Sequence, residues 1–137
     1  MRILVDTNIC LDILQKQSEF YDTSKNALFL ASKKNCKLFI TTATVMDIMY
    51  ITRKHFHDNS VQKSIVQEFI SAFNLLKVSK RNIKHAFSSP MKDFEDAVQS
   101  DCSKNHFVKL IITRNIKDFL YSPVKAVTPE DFIKQFE

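Results

Sequence analysis

The sequence predicts an α/β domain in which helices cover both faces of a parallel sheet. Short apolar runs alternate along the chain with longer segments whose apolar residues recur at helical spacing. Such alternation is typical of parallel sheets, because each strand is followed by a helix that packs back onto the sheet. The chain has 137 residues, 45% of them hydrophobic, and no internal repeat or linker-like stretch, so one domain over residues 1–137 is expected.

The predicted sheet has four or five strands, each a short apolar run that is bounded by helical or turn-forming segments. In chain order the strand candidates are RILV (2–5), KLFIT (37–41), LLKVS (75–79), VKLIIT (108–113) and PVKAVT (123–128).

The segments between the strands are predicted as helices. The last helix is expected to begin with Thr128 as its N-cap and Pro129 in its first turn, where a missing N–H costs nothing. The helix at 61–73 is predicted to point four side chains inward, Ile65, Phe69, Ala72 and Phe73. The predicted helices are one that opens with LDILQ (11–15), then 21–34, 42–56, 61–73, 81–87, 93–105 and 129–136.

The chain contains no glycine. A Walker loop and a dinucleotide-binding turn both need glycine where the backbone approaches phosphates, so no nucleotide cofactor is expected. Helices must also end without glycine, and asparagine is the next-best residue for a left-handed cap. Asn35, Asn74 and Asn105 are therefore predicted to end helices.

Charge and cysteine content narrow the class of protein. A net charge of +5 suggests a polyanionic partner, nucleic acid first, although a basic protein without such a partner has the same charge. Three widely spaced cysteines fit neither a disulfide framework nor a zinc site. The apolar N-terminal run is too short for a signal peptide or a membrane span, so a cytoplasmic location and no membrane contact are expected.

Carboxylates recur next to the predicted strands. Asp6 follows the first strand, and Asp47 lies in the second turn of the helix after the second. Asp93 and Asp96 lie at the start of the helix before the fourth strand, and Asp118 follows that strand. Carboxylates that converge repel each other unless a cation neutralises them, and hard divalent ions prefer oxygen ligands. The pattern predicts a Mg²⁺ or Mn²⁺ site, and with a phosphodiester substrate it predicts metal-assisted hydrolysis.

Each acid also has a purely structural interpretation. Asp6 fits a helix N-cap, Asp47 complements a helix dipole, and Asp118 fits a solvated loop. Asp93 with Asp96 resembles a capping box.

Within DFEDAVQSD (93–101), the two roles divide between neighbouring acids. Asp93 is predicted as the N-cap and Asp96 as a metal ligand, whereas Glu95 and Asp101 are predicted to be solvated.

Five stretches together resemble the PIN-domain ribonucleases, most closely the bacterial group related to VapC-type toxins. They run in order along nearly the entire chain: LVDTNICLDIL, TTATVMDIMYITRK, KDFEDAVQSDCSKN, LIITRNIKDF and VKAVTPEDFI. The resemblance implies a three-layer α/β/α sandwich and Mg²⁺- or Mn²⁺-dependent endonucleolytic cleavage of RNA. It also implies a toxin that forms a homodimer and is held inactive by an antitoxin protein.

The resemblance assigns roles to residues of this chain. The first and third acids of the family fall on Asp6 and Asp96, which would bind the metal directly, and Thr7 lies where a hydroxyl often supports the first acid. The second position, usually Glu, is Asp47 here, one methylene shorter.

The fourth position of the family pattern departs from the usual acid. It falls on Asn115, so Asp118 would take over part of its role and, with the second acid, complete the metal site. Arg114 would steady the RNA phosphate. These departures leave the alternative of a weakened or inactive PIN domain that binds RNA or a protein without cutting. A second alternative is a phosphatase or receiver-like α/β protein built on one strand-end Asp, but the turn VDTNI lacks the second Asp of a phosphatase turn.

Overall fold

The computed structural model describes residues 1–16 and 19–137. Within them the elements alternate along the chain as expected for an α/β fold. The strands are β1 (Arg2–Val5), β2 (Lys37–Thr41), β3 (Asn74–Leu76), β4 (Leu110–Ile112) and β5 (Lys125–Val127). The helices are α1 (Thr7–Gln15), α2 (Tyr21–Lys33), α3 (Thr42–Thr52), α4 (Asn59–Ile70), α5 (Lys80–Phe87), α6 (Phe94–Asn105) and α7 (Pro129–Phe136), with a 3-10 helix at Ile116–Phe119.

The five strands form one parallel sheet in the order β3-β2-β1-β4-β5. The chain moves outward from β1 to β3 on one side and then returns to β4 and β5 on the other. The order therefore reverses between β1 and β4, whose register pairs Val5 with Ile112. In open parallel sheets, ligands bind in the crevice at the carboxyl ends of the strands where the order reverses. Asp6 and Thr113 directly follow this pair of residues.

Both faces of the sheet are covered, which confirms the three-layer prediction. Alternate strand residues such as Ile3 and Val5 pack against α1, α2, α3, α4 and α7. Leu4 and Ile111 point to the opposite face and pack against α5 and α6. Because a strand buried on both faces has no polar side, its sequence reads as a continuous apolar run.

The inner face of α4 differs from the prediction. Asp58 caps this helix and accepts hydrogen bonds from the backbone of the first turn, so the helix begins earlier than predicted. Val66 is buried at 1% exposure, whereas Ile65 is 39% exposed. Phe69 and Phe73 do pack against the core, but Ala72 lies beyond the helix and is exposed.

Only one of the three predicted asparagine caps adopts the left-handed conformation, Asn35 with φ 59°. Asn74 is instead the first residue of β3, and Asn105 is the last residue of α6. After α6 the left-handed residue is Phe107, with φ 58°. This conformation lets the N–H of Val108 reach the carbonyl of Ser103 at 3.0 Å and close the helix end without glycine.

The three cysteines are free thiols; Cys10 and Cys102 are buried, and Cys36 is partly exposed. No helix within residues 1–16 and 19–137 combines the length and apolar character that crossing a bilayer requires.

Candidate active site

Asp6 lies at the carboxyl end of β1, the central strand of the sheet. It caps α1, and its carboxylate accepts a hydrogen bond from the backbone N–H of Thr7 at 2.7 Å. Gln99 Nε2 donates to the same carboxylate at 3.1 Å, and the Thr113 hydroxyl donates to it at 2.7 Å. The predicted N-cap role of Asp6 is confirmed, but a cap needs only one of these contacts. The others come from α6 and from the end of β4, so three elements converge on one carboxylate.

Burial dominates the electrostatics of Asp6. The residue is 4% exposed, and loss of hydration raises the pKa of its carboxyl above the ordinary value. Hydrogen bonds from Thr113, Gln99 and the Thr7 backbone oppose that rise, while the negative charge of Asp93 adds to it. With the Asn8 amide, which donates to it at 3.2 Å, the carboxylate has four hydrogen-bond donors, and no lysine or arginine of the described chain forms a salt bridge with it.

Asp96 meets Asp6 from the first turn of α6. Asp93 caps that helix as predicted, accepting from the backbone N–H of Asp96 at 2.9 Å. Asp96 is 8% exposed, and its pKa is raised to about 8, first by burial and then by the charges of Asp6, Asp93 and Asp118. The structure thus brings these four predicted acids close enough to act on one another.

Glu95 belongs to the site, contrary to the prediction that it is solvated. Its pKa is raised to about 8 by burial, by a side-chain hydrogen bond with Asp47, and by the charges of Asp47 and Asp6. Two carboxyl groups can share a hydrogen bond only when one holds a proton, so burial and repulsion favour one proton on this pair. The Thr7 hydroxyl also donates to Glu95 at 3.3 Å and bonds Thr44 at 2.9 Å. The Thr7 hydroxyl therefore binds Glu95, whereas the contribution of Thr7 to Asp6 comes from its backbone N–H.

Glu95 lies against the shorter acid on α3. The sequence alone shows a missing methylene at Asp47, but α6 places the longer side chain of Glu95 against it. Both acids line a cavity of about 200 Å³. Consecutive residues of a helix point about 100° apart, yet both can reach a site that faces the N-terminal end of that helix. Asp96 therefore reaches Asp6 while Glu95 reaches α3.

Asn115 and Asp118 stand on the 3-10 segment after β4. The backbone N–H of Asn115 donates to the Thr113 hydroxyl at 3.0 Å, and Asn115 is exposed. Asp118 is partly buried, and its charge is felt at Asp96. Both line a cavity of about 380 Å³. The short helix that carries Asp118 toward the other acids was not predicted, because a single 3-10 turn leaves no periodic pattern.

Arg114 is bound to protein groups. Its guanidinium donates to both oxygens of Asp12, at 2.8 and 3.1 Å, and lies 4.1 Å from the ring centroid of Phe20. Asp12 is 4% exposed and also accepts from the Ser24 hydroxyl at 2.9 Å. The structure therefore gives Arg114 a role in neutralising a buried carboxylate, and its contact with RNA phosphate stays a prediction.

Asp101 was also predicted to be solvated, and this is wrong. Asn82 donates to it at 2.7 Å, and the Nδ1 atom of His85 lies 3.0 Å away. These contacts join α5 to α6, so Asp101 holds the acid-bearing helix against its neighbour.

Sequence reasoning missed three members of the site: Glu95, Gln99 and Thr113. Gln99 lies three residues after Asp96, on the same side of α6, and this spacing indicates a shared face. Thr113 follows β4 as Asp6 follows β1, so the adjacency of the two strands brings them together. That adjacency is a property of strand order, which the sequence does not display.

The acids suit a hard divalent cation by chemistry. Their ligand atoms are all oxygen, and their mutual charges raise the pKa of Asp96, which a bound cation would reverse. Across residues 1–16 and 19–137, however, no three His, Cys, Asp or Glu side chains stand close enough to share one ion. Asp6 is turned toward Gln99 and Thr113, and Glu95 toward Asp47.

We expect the metal-free protein to lose stability as pH rises. Glu95 and Asp96 titrate near pH 8 when folded but near pH ~4 when unfolded. Between these values the folded state holds protons that the unfolded state has released, so the free energy of unfolding falls across this window. Thermal unfolding in EDTA at pH 5.5 and 8.5 measures the loss. Glu95→Gln is expected to show a smaller loss than the parent or Glu68→Gln, an exposed α4 control; equal losses would contradict the assignment.

The protein is an α/β protein with a parallel sheet of order β3-β2-β1-β4-β5, and its buried acids Asp6 and Asp96 lie near the point where the strand order reverses. The family model of the PIN domain matches residues 2–117, and the chain therefore belongs to the PIN domain family. No curated protein matches the chain.

Solved structures show the same architecture. A chain of the VapBC2 complex from Rickettsia felis, bound to promoter DNA, is 19% identical, with a TM-score of 0.73 over 93% of this chain and 98% of that one. A chain of a toxin–antitoxin complex from Klebsiella pneumoniae is 26% identical, with a TM-score of 0.70 over 93% and 97%. Mycobacterium tuberculosis VapC20, described as a sarcin–ricin loop cleaving toxin, is 11% identical, with a TM-score of 0.63 over 80% and 86%.

Proposed function

We propose that the protein is a metal-dependent endoribonuclease that hydrolyses RNA phosphodiester bonds. The observation that carries this proposal is the buried pair Asp6 and Asp96, with Asp93 and Asp118 beside it. Within the described chain, no lysine or arginine forms a salt bridge with these acids. Buried like charges are costly to a fold, so their concentration at the ligand-binding edge indicates a cation as partner.

The residues divide the work of the site. Asp6 and Asp96 would hold Mg²⁺ or Mn²⁺, and Asp47, Glu95 and Asp118 would bind its water molecules. A divalent cation supplies an activated water and neutralises charge on the phosphodiester. The donors to Asp6 fix where its carboxylate points, and the Asp93 cap holds the first turn of α6, from which Asp96 projects.

The proposed activity is tested directly with purified protein. Single-stranded RNA is expected to be cut internally in the presence of Mn²⁺ or Mg²⁺ and to stay intact in EDTA. Gel analysis of end-labelled RNA measures this, and calorimetric titration with Mn²⁺ measures metal binding independently. RNA cleavage that persists in EDTA would contradict the metal role.

A second candidate is a PIN domain that binds RNA or protein without cutting. Two observations favour it: the amide of Asn115 at the fourth position, and the turning of Asp6 and Glu95 toward protein partners. Absence of both Mn²⁺ binding and cleavage would select this candidate over the nuclease.

We further propose that the chain is the toxin of a toxin–antitoxin pair, acting in the cytoplasm as a homodimer. The matching chains from Rickettsia felis and Klebsiella pneumoniae come from toxin–antitoxin complexes, which supports an antitoxin partner here. We expect a small gene adjacent to the coding sequence to encode this antitoxin.

Expression of the chain in a bacterial host is therefore expected to arrest growth. The Asp96→Asn chain is expected to be tolerated, because the arrest would depend on RNA cleavage, and co-expression of the adjacent small gene should relieve it. Colony counts after induction, with expression checked by blotting, give the comparison. Equal arrest by both chains would show that the toxicity does not come from this site.

A further inference from the structure

A cleft of about 570 Å³ opens beside the acids on the Asp118 side. The segment before α6 forms one wall with Met91 and Lys92, and the 3-10 helix and the residues after it form the other. Met91 is 7% exposed and provides an apolar floor, whereas Leu120 and Tyr121 are 74% and 62% exposed at the rim. The cleft therefore combines an apolar surface and an exposed aromatic ring with Asp118, whose charge acts on Asp96.

Lys92 and Lys117 give this cleft positive charge. Both line it and both are exposed. Across the described ranges, neither side chain takes part in an ion pair or a hydrogen bond with the protein. These two ammonium groups are therefore free to bind an anion. Each is followed directly in the chain by a carboxylate, Asp93 or Asp118, which by itself would repel a phosphate. Cationic side chains beside a cleavage site suit the neighbouring phosphate of the same strand.

We propose that this cleft holds a nucleotide adjacent to the scissile bond of single-stranded RNA. Its base would lie on Tyr121 and Leu120, and its phosphate between Lys92 and Lys117. The proposal rests on the proposed nuclease function and specifies its substrate as unpaired RNA. A base reaches an exposed ring only when it has left its own stack, which a continuous duplex does not allow.

A second aromatic group near the acids fits a nucleotide less well. Phe87 and Phe94 lie with ring centroids 4.7 Å apart, so each ring already packs on the other. Phe94 lines the small cavity that Asp47 and Glu95 share, and no lysine or arginine is among the described residues that line it. A nucleotide carries both a flat base and a charged phosphate, and the Tyr121 cleft offers a partner to each.

The absence of tryptophan from the chain allows a direct test. Tyr121→Trp would place a single tryptophan at the rim of the cleft. In EDTA, where no metal supports cleavage, titration with oligo(A) is expected to quench its emission through stacking, and oligo(A)·oligo(U) duplex is expected to leave it nearly unchanged. Phe107→Trp is the matched control, since Phe107 is 75% exposed beyond the opposite end of α6. Its emission should not respond to either RNA.

Affinity measurements provide a second test with substitutions of exposed residues. Anisotropy of a labelled oligo(A) strand in EDTA is expected to show that Tyr121→Ala weakens binding by about 5- to 150-fold, whereas Tyr121→Phe retains it. The Lys92→Ala, Lys117→Ala double variant is expected to reduce the salt dependence of binding by about 0.7 in logarithmic slope per lysine. The control pair is Lys109→Ala with Lys125→Ala, two exposed lysines at the opposite edge of the sheet.

The outcomes separate this proposal from the nuclease function. Unchanged tryptophan emission together with unchanged affinity in Tyr121→Ala would overturn the proposal, even if the parent cuts RNA with Mn²⁺. Loss of affinity in Phe87→Ala but not in Tyr121→Ala would overturn it in favour of the other aromatic group. Quenching by oligo(A) in a protein that cuts nothing would uphold the cleft and refute the nuclease. A cleft that excludes RNA but binds the antitoxin would also overturn the proposal.

Discussion

The Asp96→Asn protein is expected to lose RNA cleavage by at least about 100-fold while its metal-free form becomes more stable than the parent. Asn keeps the shape of the side chain but cannot ionise, whereas the Asp96 carboxyl, 8% exposed, must either hold a proton or carry a charge beside three other acids. The cation would lose a direct ligand, so the reaction suffers. The fold loses a repulsion, so the free energy of unfolding at pH 7.5 should rise by about 1–2 kcal/mol.

Two measurements check this pair of effects. Cleavage of end-labelled RNA with Mn²⁺ gives the loss of activity, and thermal unfolding in EDTA gives the gain in stability, roughly 3–8 °C. Asp6→Asn is expected to show the same loss of cleavage. Glu68→Gln, which removes an exposed charge from α4, is the matched control and should change neither quantity. A fully active Asp96→Asn protein would refute the metal role, and a destabilised one would refute the picture of repelling acids.

The Arg114→Ala protein is expected to be destabilised by about 3 kcal/mol, a large part of the stability of a domain of this size. The Asp12 carboxylate is 4% exposed and, among the residues that the structure describes, would keep the hydrogen bond from Ser24, at 2.9 Å, as its one side-chain donor. A buried charge without its counter-charge costs more than the ion pair itself contributes. The stacking of the guanidinium on Phe20 would be lost as well.

Urea denaturation measures the loss, and a second substitution identifies its cause. Asp12→Asn in the Arg114→Ala background removes the unpaired charge and is expected to recover part of the stability. Arg53→Ala is the control, because that guanidinium stacks 4.1 Å from the ring of an exposed tyrosine, Tyr50. If Arg114→Ala unfolds at the parent's urea concentration but binds RNA more weakly, the RNA-contacting role predicted from the sequence replaces the structural one.

Most of the fold could be predicted because its determinants are local. β1 and β2 are continuous apolar runs, and α7 begins with a capping threonine and a proline, so their bounds agree with the prediction to the residue. The errors fall where a local pattern is ambiguous. The helix at 61–73 has apolar residues on two adjacent faces, and Val66 rather than Ile65 lies in the core. The left-handed Phe107 escaped prediction because a positive φ is rare for a bulky residue, and nothing in the local sequence marks it.

The fold class and the family could be predicted from the amino-acid sequence alone: it is a glycine-free α/β chain with acids beside its strands, in the pattern of a PIN domain. Which acids lie close enough to influence one another depends on the tertiary structure. Strand order brings Asp6 next to Thr113, and the entry of α6 turns Glu95 toward Asp47 while Asp96 faces Asp6. These interactions could not be predicted, because burial and electrostatic repulsion depend on distances between residues that are far apart in the chain. A sequence lists these residues, but only packing sets their separation.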